Sequence, residues 1–230
     1  MKKDASWEEL AQYYDERASE YDEVYAGQGP AFPNPEAYKT DVSTIQEIAS
    51  QFGKGRMIDI ACGTGFWLPY YAANCTEITM LDQSERMLLL AEERAKKELV
   101  IERCRFVQGN FFEVELEISH FDSAIIGFLL SHLTDSDTTR FLSKLKEIVT
   151  AESELMIIDS SWSGERQQYR EKEGLQKRRL DDGREFSIFK RYFAMGELDQ
   201  LLSSFGFIVK RSYFGRAFLA LVLVNSSRTC

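Results

Sequence analysis

In residues 57–67, MIDIACGTGFW, the aspartate Asp59 lies inside an apolar run, and Gly63 and Gly65 follow with one residue between them. Glycine at the end of a strand lets the backbone turn sharply and approach a ligand with no side chain in the way. A helix after such a turn aims its free amides at the same place, which suits an anion or a carboxylate. Asp82 comes 19 residues after Gly63 and closes a second apolar run, EITMLD. A carboxylate there can accept hydrogen bonds from both hydroxyls of a ribose. Turn and acid together point to an adenosine cofactor. A dinucleotide fingerprint, GxGxxG, needs glycine at position 68, and that residue is Leu68. Asp59 would serve a ligand with an ammonium group, and a pyrophosphate would have no use for it.

His132 is the one histidine expected near the active end of a strand. It is placed to act as a base toward a hydroxyl or amine, or more plainly to contact a cofactor or cap a helix. His120 is expected at the surface. The four cysteines, Cys62, Cys75, Cys104 and Cys230, have no CxxC spacing, and with two histidines they offer no metal site. Reduced thiols fit a cytoplasmic protein.

The basic stretch 162–191 carries nine basic and six acidic side chains, a local charge of +3 in a chain of net charge -9. Its second half reads as a hairpin turning at Asp181, Asp182 and Gly183. A three-residue loop pairs Leu180 with Arg184 and Arg178 with Phe186, and puts Arg178, Arg184, Phe186, Ile188 and Lys190 on one face. A two-residue turn would present Arg179 instead, because a slip of one residue reverses every side chain. Guanidinium groups match carboxylate, phosphate or phosphonate in bidentate fashion.

The elements that must position these residues follow from periodicity. Apolar residues at helical spacing over 7–25 predict an amphipathic helix. The prolines and glycines of 27–35 break it, and a second helix is expected over 38–52. From residue 56 short apolar strands alternate with amphipathic segments: MIDIA and a helix from about Phe66, EITML and a helix over 84–98, RFVQG, SAIIG and a helix over 138–149, then LMIID. That alternation implies crossovers and a parallel sheet with helices on both faces. A short helix stopped by Gly206 and the strands FIVKRSY and AFLALVLV close the chain. The expected fold is α/β, a doubly wound, Rossmann-like, mostly parallel seven-stranded sheet in one domain. It divides into an N-terminal helical cap (1–52), a cofactor-binding core (53–160), a basic hairpin lid (161–194) and a C-terminal helix and strand pair (195–230).

Hydrophobic residues make up 44% and charged residues 28%, as in ordinary globular proteins. No apolar run approaches the roughly 18 residues of a membrane span, and the N-terminus lacks the apolar region of a signal peptide. The acidic balance gives no field favouring nucleic acid or an anionic membrane. A small-molecule acceptor is the expected partner, for a monomer or homodimer.

The runs DIACGTG, MLDQSERML, FVQGNFF and FDSAIIGFLLSHL resemble, in order, the motifs of class I S-adenosylmethionine-dependent methyltransferases. The resemblance extends from about residue 13 to 224, and YYDERASEYD resembles the N-terminal helix of small-molecule members. It implies that Asp59, Gly63 and Gly65 surround the methionine part of S-adenosyl-L-methionine and that Asp82 holds the ribose. Met87 and Phe111 would flank the adenine, and Asn110 would meet its amino edge. Ala61, Gln83 and Phe128 complete the implied cofactor set. Ala61 stands where the family usually has glycine, and Asn110 where aspartate is common. The segments RRLDDGREFSIFK, ACGTGFW and RASEYD are similar to bacterial phosphonate O-methyltransferases. That similarity implies that Arg178, Lys190 and Tyr14 or Tyr21 touch the acceptor. The expected activity is O-methylation of an acidic or hydroxyl-bearing metabolite. A non-catalytic cofactor-binding module and a nicotinamide-dependent oxidoreductase are the alternatives.

Overall fold

Five strands here run parallel, four of them largely buried on both faces and the edge strand Cys104–Gln108 only in part. They are β1 (Gly55–Ile60), β2 (Cys75–Asp82), β3 (Cys104–Gln108), β4 (Phe121–Gly127) and β5 (Val149–Ser160). The computed structural model describes residues 7–27 and 34–226. The expected break over 27–35 therefore lies largely outside the described residues, as does Cys230. β9 (Phe218–Asn225) runs antiparallel to β5, and β8 (Phe207–Phe214) antiparallel to β9, giving the order β3-β2-β1-β4-β5-β9-β8. The expected seven-stranded, mostly parallel sheet is present.

The two-residue period of each strand divides the core. Met57, Ile78, Met80, Ile125 and Met156 face α2 (Pro35–Ser50), α3 (Leu68–Tyr71) and α4 (Glu85–Lys97). Ile58, Ile60, Ala124, Ile126 and Ile157 face α5 (Asp135–Ile148) and α6 (Glu197–Ser204). Ser84 caps α4 by accepting from the Met87 amide at 3.1 Å, and Thr134 caps α5 by accepting from Asp137 at 3.2 Å. The strand order reverses between β1 and β4, where a doubly wound sheet opens its ligand crevice. Among the described residues no helix is long and apolar enough to cross a membrane.

Three expectations need correction. The single helix over 7–25 is instead α1 (Trp7–Glu16) followed by a 3-10 turn, Ala18–Ala26. The tighter winding is held from outside, since Asp22 accepts from the Thr64 hydroxyl and from Arg94, both at 2.5 Å; a tertiary contact outweighs local periodicity there. The helix from Phe66 is only α3, entered through Pro69 and continued as a 3-10 turn, Ala72–Asn74. The hairpin has the three-residue loop, with the Leu180 amide donating to the Arg184 carbonyl at 2.9 Å and Arg178 opposite Phe186. Of its strands, β6 (Glu173–Arg179) and β7 (Glu185–Arg191), the first begins earlier than expected. Arg184 sits at the loop end rather than on the working face, exposed and paired with Glu16 and Asp182. Leu180, Phe186 and Ile188 of the hairpin pack on Leu10 and Tyr13 of α1, so cap and hairpin form one cover.

Asp41 of α2 is 1% exposed and accepts from Tyr213 Oη (2.7 Å) and from the amides of Ala217 (2.6 Å) and Phe218 (2.8 Å). It ties the turn between β8 and β9 to the helix layer. Asp41→Ala strands two buried amides and is expected to lower the unfolding free energy by about 2–4 kcal/mol, read as a drop in the urea midpoint.

Candidate active site

The turn after β1 is built from backbone in the left-handed region. Ala61 has φ 56°, Gly63 φ 54° and Gly65 φ 70°. The two glycines have different jobs. A Cβ on Gly63 would project into the space before Tyr21, 3.5 Å from Cε1, with Met87 Sδ at 4.0 Å, so its bare Cα keeps the cleft open. A Cβ on Gly65 would press on Ala91 and Met80 at 3.3 Å, so Gly65 permits α4 to pack closely. Ala61 takes a conformation that costs an L-residue about 1–2 kcal/mol.

Asp82 fastens this turn. The Gly63 amide donates to its Oδ2 and the Ser84 amide to its Oδ1, both at 2.9 Å. Burial raises its pKa, and the amides of Ser84 and Gly63 oppose that rise by favouring the carboxylate. Each oxygen keeps a further lone pair for a ligand hydroxyl. The adjoining cleft is lined by Ala61, Gly63, Asp82, Gln83, Met87 and Asn110, and also by Phe111 and Phe128. Trp7, Leu10, Tyr14 and Tyr21 of the cap roof it. Asn110 Oδ1 accepts from the Phe112 amide at 2.9 Å and so shapes the loop after β3. Asp59 and Gly65 stand behind the cleft rather than in its lining. Asp59, 4% exposed, accepts from Tyr71 Oη at 2.7 Å, and burial pushes its pKa up to about 7.

A second chamber lies beside the first and shares Tyr14, Tyr21, Phe128 and His132 with it. Five cations, Arg17, Arg166, Arg178, Arg179 and Lys190, line it together with Tyr38 and Tyr192. Lys190 is 7% exposed, donates to Ser131 Oγ at 2.5 Å and stands 3.7 Å from the fully buried Asp159. Asp159 also accepts from the Ser131 amide at 2.9 Å, so this network pins β7 to the carboxyl ends of β4 and β5. Burial lowers the Lys190 ammonium below the ordinary lysine value against the pull of Asp159. At Tyr192 burial opposes ionisation, but Lys190, Arg166 and Arg178 outweigh it and hold the phenol below its ordinary value. A space with that field favours an anion.

His132 is 6% exposed and lies between the chambers, with Nε2 2.7 Å from Tyr14 Oη and Nδ1 2.8 Å from the Phe189 carbonyl. Burial, then the neighbouring Lys190, keeps its imidazolium well below the usual histidine range. Among the described residues, Glu20, Glu23 and Asp181 place carboxylate oxygens within 4.8 Å of one another, at the rim of the second chamber. The sequence reading passed over Arg17, Arg166 and Tyr192. Arg17 lies inside the quoted YYDERASEYD run and Tyr192 two residues beyond Lys190 on the hairpin face, whereas Arg166 belongs to a stretch with no periodic or motif signal.

The reversed strand order, the antiparallel β9 and the glycine turn facing the acid at the end of β2 make a Rossmann-like sheet of the methyltransferase kind. Residues 57–152 match the family described as "Methyltransferase domain". Demethylmenaquinone methyltransferase of Staphylococcus aureus (strain MRSA252) is 32% identical over 96 residues, covering 40% of this chain and 36% of that protein. The chain spans between 22% and 36% of the length of the curated relatives it matches first. Over nearly the whole chain the fold is shared with DhpI. The DhpI–SAH complex has TM-score 0.75 at 22% identity, covering 96% of this chain and 97% of DhpI. The DhpI–SAM–HEP complex has TM-score 0.74 at 24% identity, covering 94% and 96%.

Two measurements test this account of the site. Ala61→Gly relieves the left-handed strain at some cost in chain entropy, and is expected to raise stability by about 0.5–1 kcal/mol, seen as a higher Tm. For Asp59, the folded state keeps a proton that the unfolded chain releases near its ordinary value of about 4. Its contribution is therefore full below about pH 4 and is lost as pH rises through 7, so Asp59→Asn is expected to flatten the fall of unfolding free energy across that window in urea titrations.

Proposed function

We propose that the protein transfers a methyl group from S-adenosylmethionine to an oxygen of a small anionic acceptor. The observation that carries this reading is the pair of adjoining chambers, one with a glycine turn and ribose acid, the other ringed by cations, meeting at Tyr14, Tyr21, Phe128 and His132. The residues fit the cofactor: the bare Gly63 Cα leaves room beside Tyr21, Asp82 keeps spare lone pairs, and Met87 and Phe111 offer apolar walls for a base. Bound S-adenosylmethionine supplies an electrophilic methyl group on a sulfonium. Asp82 holds the ribose, while the cap residues Trp7, Leu10, Tyr14 and Tyr21 exclude water from above.

Arg178 and Lys190, with Tyr21, hold the acceptor, and Arg17 and Arg166 add to the field that draws an anion in. An oxyanion is already a nucleophile, so alignment does most of the work and no strong base is required. The depressed His132 suits such a reaction, because a buried imidazole beside a lysine resists taking a proton. The similarity of the hairpin segment to phosphonate O-methyltransferases and of the fold to DhpI bound with SAM and HEP supports a small acid as acceptor.

Calorimetry with the full chain is expected to detect binding of both S-adenosylmethionine and S-adenosylhomocysteine. Asp82→Ala should weaken both at least tenfold, since each lost hydrogen bond to a carboxylate is worth about 1.5–3 kcal/mol. Absence of binding to the wild-type chain would falsify the reading. In a screen of small acids with labelled methyl donor, Arg178→Met is expected to raise KM about tenfold or more with kcat much less affected, as for loss of ground-state binding.

A further inference from the structure

Arg178 lines the cation-ringed chamber, but the side chain that holds it does not. Strand β6 alternates its faces with period two, so Gln176, opposite Ile188, shares a face with Arg178, opposite Phe186. Arg178 Nη2 stands 2.7 Å from the Gln176 side-chain oxygen, and Tyr192 Oη stands 3.0 Å from the same atom. A guanidinium can only donate, so the amide is turned with its oxygen toward Arg178, and the phenol gives its hydrogen to that oxygen as well. Arg178 Nη1 donates to the Lys177 carbonyl at 3.3 Å. Both of these acceptors are neutral. Other cations of the hairpin are held differently: Arg184 by Glu16 and Asp182, Arg191 by Asp135 and Glu173, with Lys190 3.7 Å from Asp159. A carboxylate orients a cation and also offsets its charge, whereas an amide oxygen orients it and leaves the charge whole.

We propose that Gln176 is a positioning residue for the acceptor: its amide oxygen fixes Arg178 in the chamber wall while leaving the guanidinium charge uncompensated, and so sets the demand for an anion. The inference rests on the anionic-acceptor reading above. Gln176 lines neither chamber, so it acts through Arg178 and does not touch the acceptor itself. Its own support is Tyr192, 3% exposed, whose ring stacks on Trp162 with centroids 5.9 Å apart and carries Arg166 Cζ 4.4 Å from its centre. A ring gripped on that scale keeps Oη in place, Oη holds the amide, and the amide holds the guanidinium. The N–H groups that Arg178 does not give to Gln176 and Lys177 remain for a carboxylate, phosphate or phosphonate. Glutamate at 176 would have the same reach and accept the same hydrogen bonds, but it would turn Arg178 into half of an internal ion pair.

The test is calorimetric titration of inorganic phosphate into the full chain saturated with S-adenosylhomocysteine, with the Tm and the S-adenosylhomocysteine affinity recorded for each variant. Gln176→Glu keeps the size of the side chain and its acceptor role but sets a negative charge against Arg178. It is expected to weaken phosphate about tenfold or more, with S-adenosylhomocysteine affinity and Tm unchanged. Gln176→Leu removes the acceptor oxygen, and is expected to weaken phosphate about three- to tenfold with the same indifference of S-adenosylhomocysteine. A purely structural glutamine would be replaced by glutamate without loss. Wild-type phosphate affinity in Gln176→Glu, or parallel loss of phosphate and S-adenosylhomocysteine in either variant, overturns the inference and leaves the anionic-acceptor reading standing. A wild-type chain that binds S-adenosylhomocysteine but no phosphate removes both.

Discussion

A parallel sheet delivers the carboxyl ends of its strands to one edge, and the polar groups crowded there must be satisfied by caps, side chains or a ligand. In this protein two buried aspartates do most of that work. Asp82, at the end of β2, takes the amides of Gly63 and Ser84 and so fixes the turn after β1 and the start of α4 together. Asp159, at the end of β5, takes the Ser131 amide and stands beside Lys190, which fixes the turn after β4 and the hairpin. The cleft lies between these two anchors. Its shape is a consequence of how the strand ends are satisfied, and its chemistry comes from the acceptor capacity they retain.

The cap and the hairpin convert an open edge into enclosed space. They adhere to each other through Leu10, Tyr13, Phe186 and Ile188, and to the core through polar contacts. Asp22 reaches Thr64 and Arg94, Asp15 accepts from Ser84 Oγ at 2.7 Å, and Glu9 accepts from the Ser187 amide at 2.9 Å. Acidic residues of the cap thus meet amides, hydroxyls and arginines of the core and hairpin. The acids of the cap are thus engaged with core and hairpin while Arg17, Arg166 and Arg178 line the chamber, and this explains why a chain of net charge -9 can hold a pocket with a positive field.

Legibility in the sequence followed locality. The strand runs were predominantly apolar, so their existence and parallel arrangement could be read from alternation with helical segments, and the glycine turn and the acid that ends β2 followed from spacing along one chain segment. The hairpin face carrying Arg178 and Lys190 was readable once the loop length was decided, because period two leaves no freedom after that. Residues whose roles depend on distant partners were not readable. Arg17 was passed over because its value lies in facing a chamber that only folding creates. The 3-10 turn after α1 has the composition of a helix and winds differently because Asp22 is held by residues 42 and 72 positions further along the chain. Gly65 and Asp59 look like ligand residues in the motif, yet one makes room for Ala91 and the other is hydrogen-bonded by Tyr71 behind the cleft.

The order of apolar and glycine residues along the chain determined the sheet, its crossovers and the place of the crevice, because those follow from burial and backbone geometry within each segment. Tertiary structure decided which side chains share a wall. His132 has an assigned tautomer only because Phe189 and Tyr14, 57 and 118 residues away, arrive at its two nitrogens. Hydrogen-bond direction and local field are properties of the assembled neighbours, and no spacing within a linear sequence encodes them.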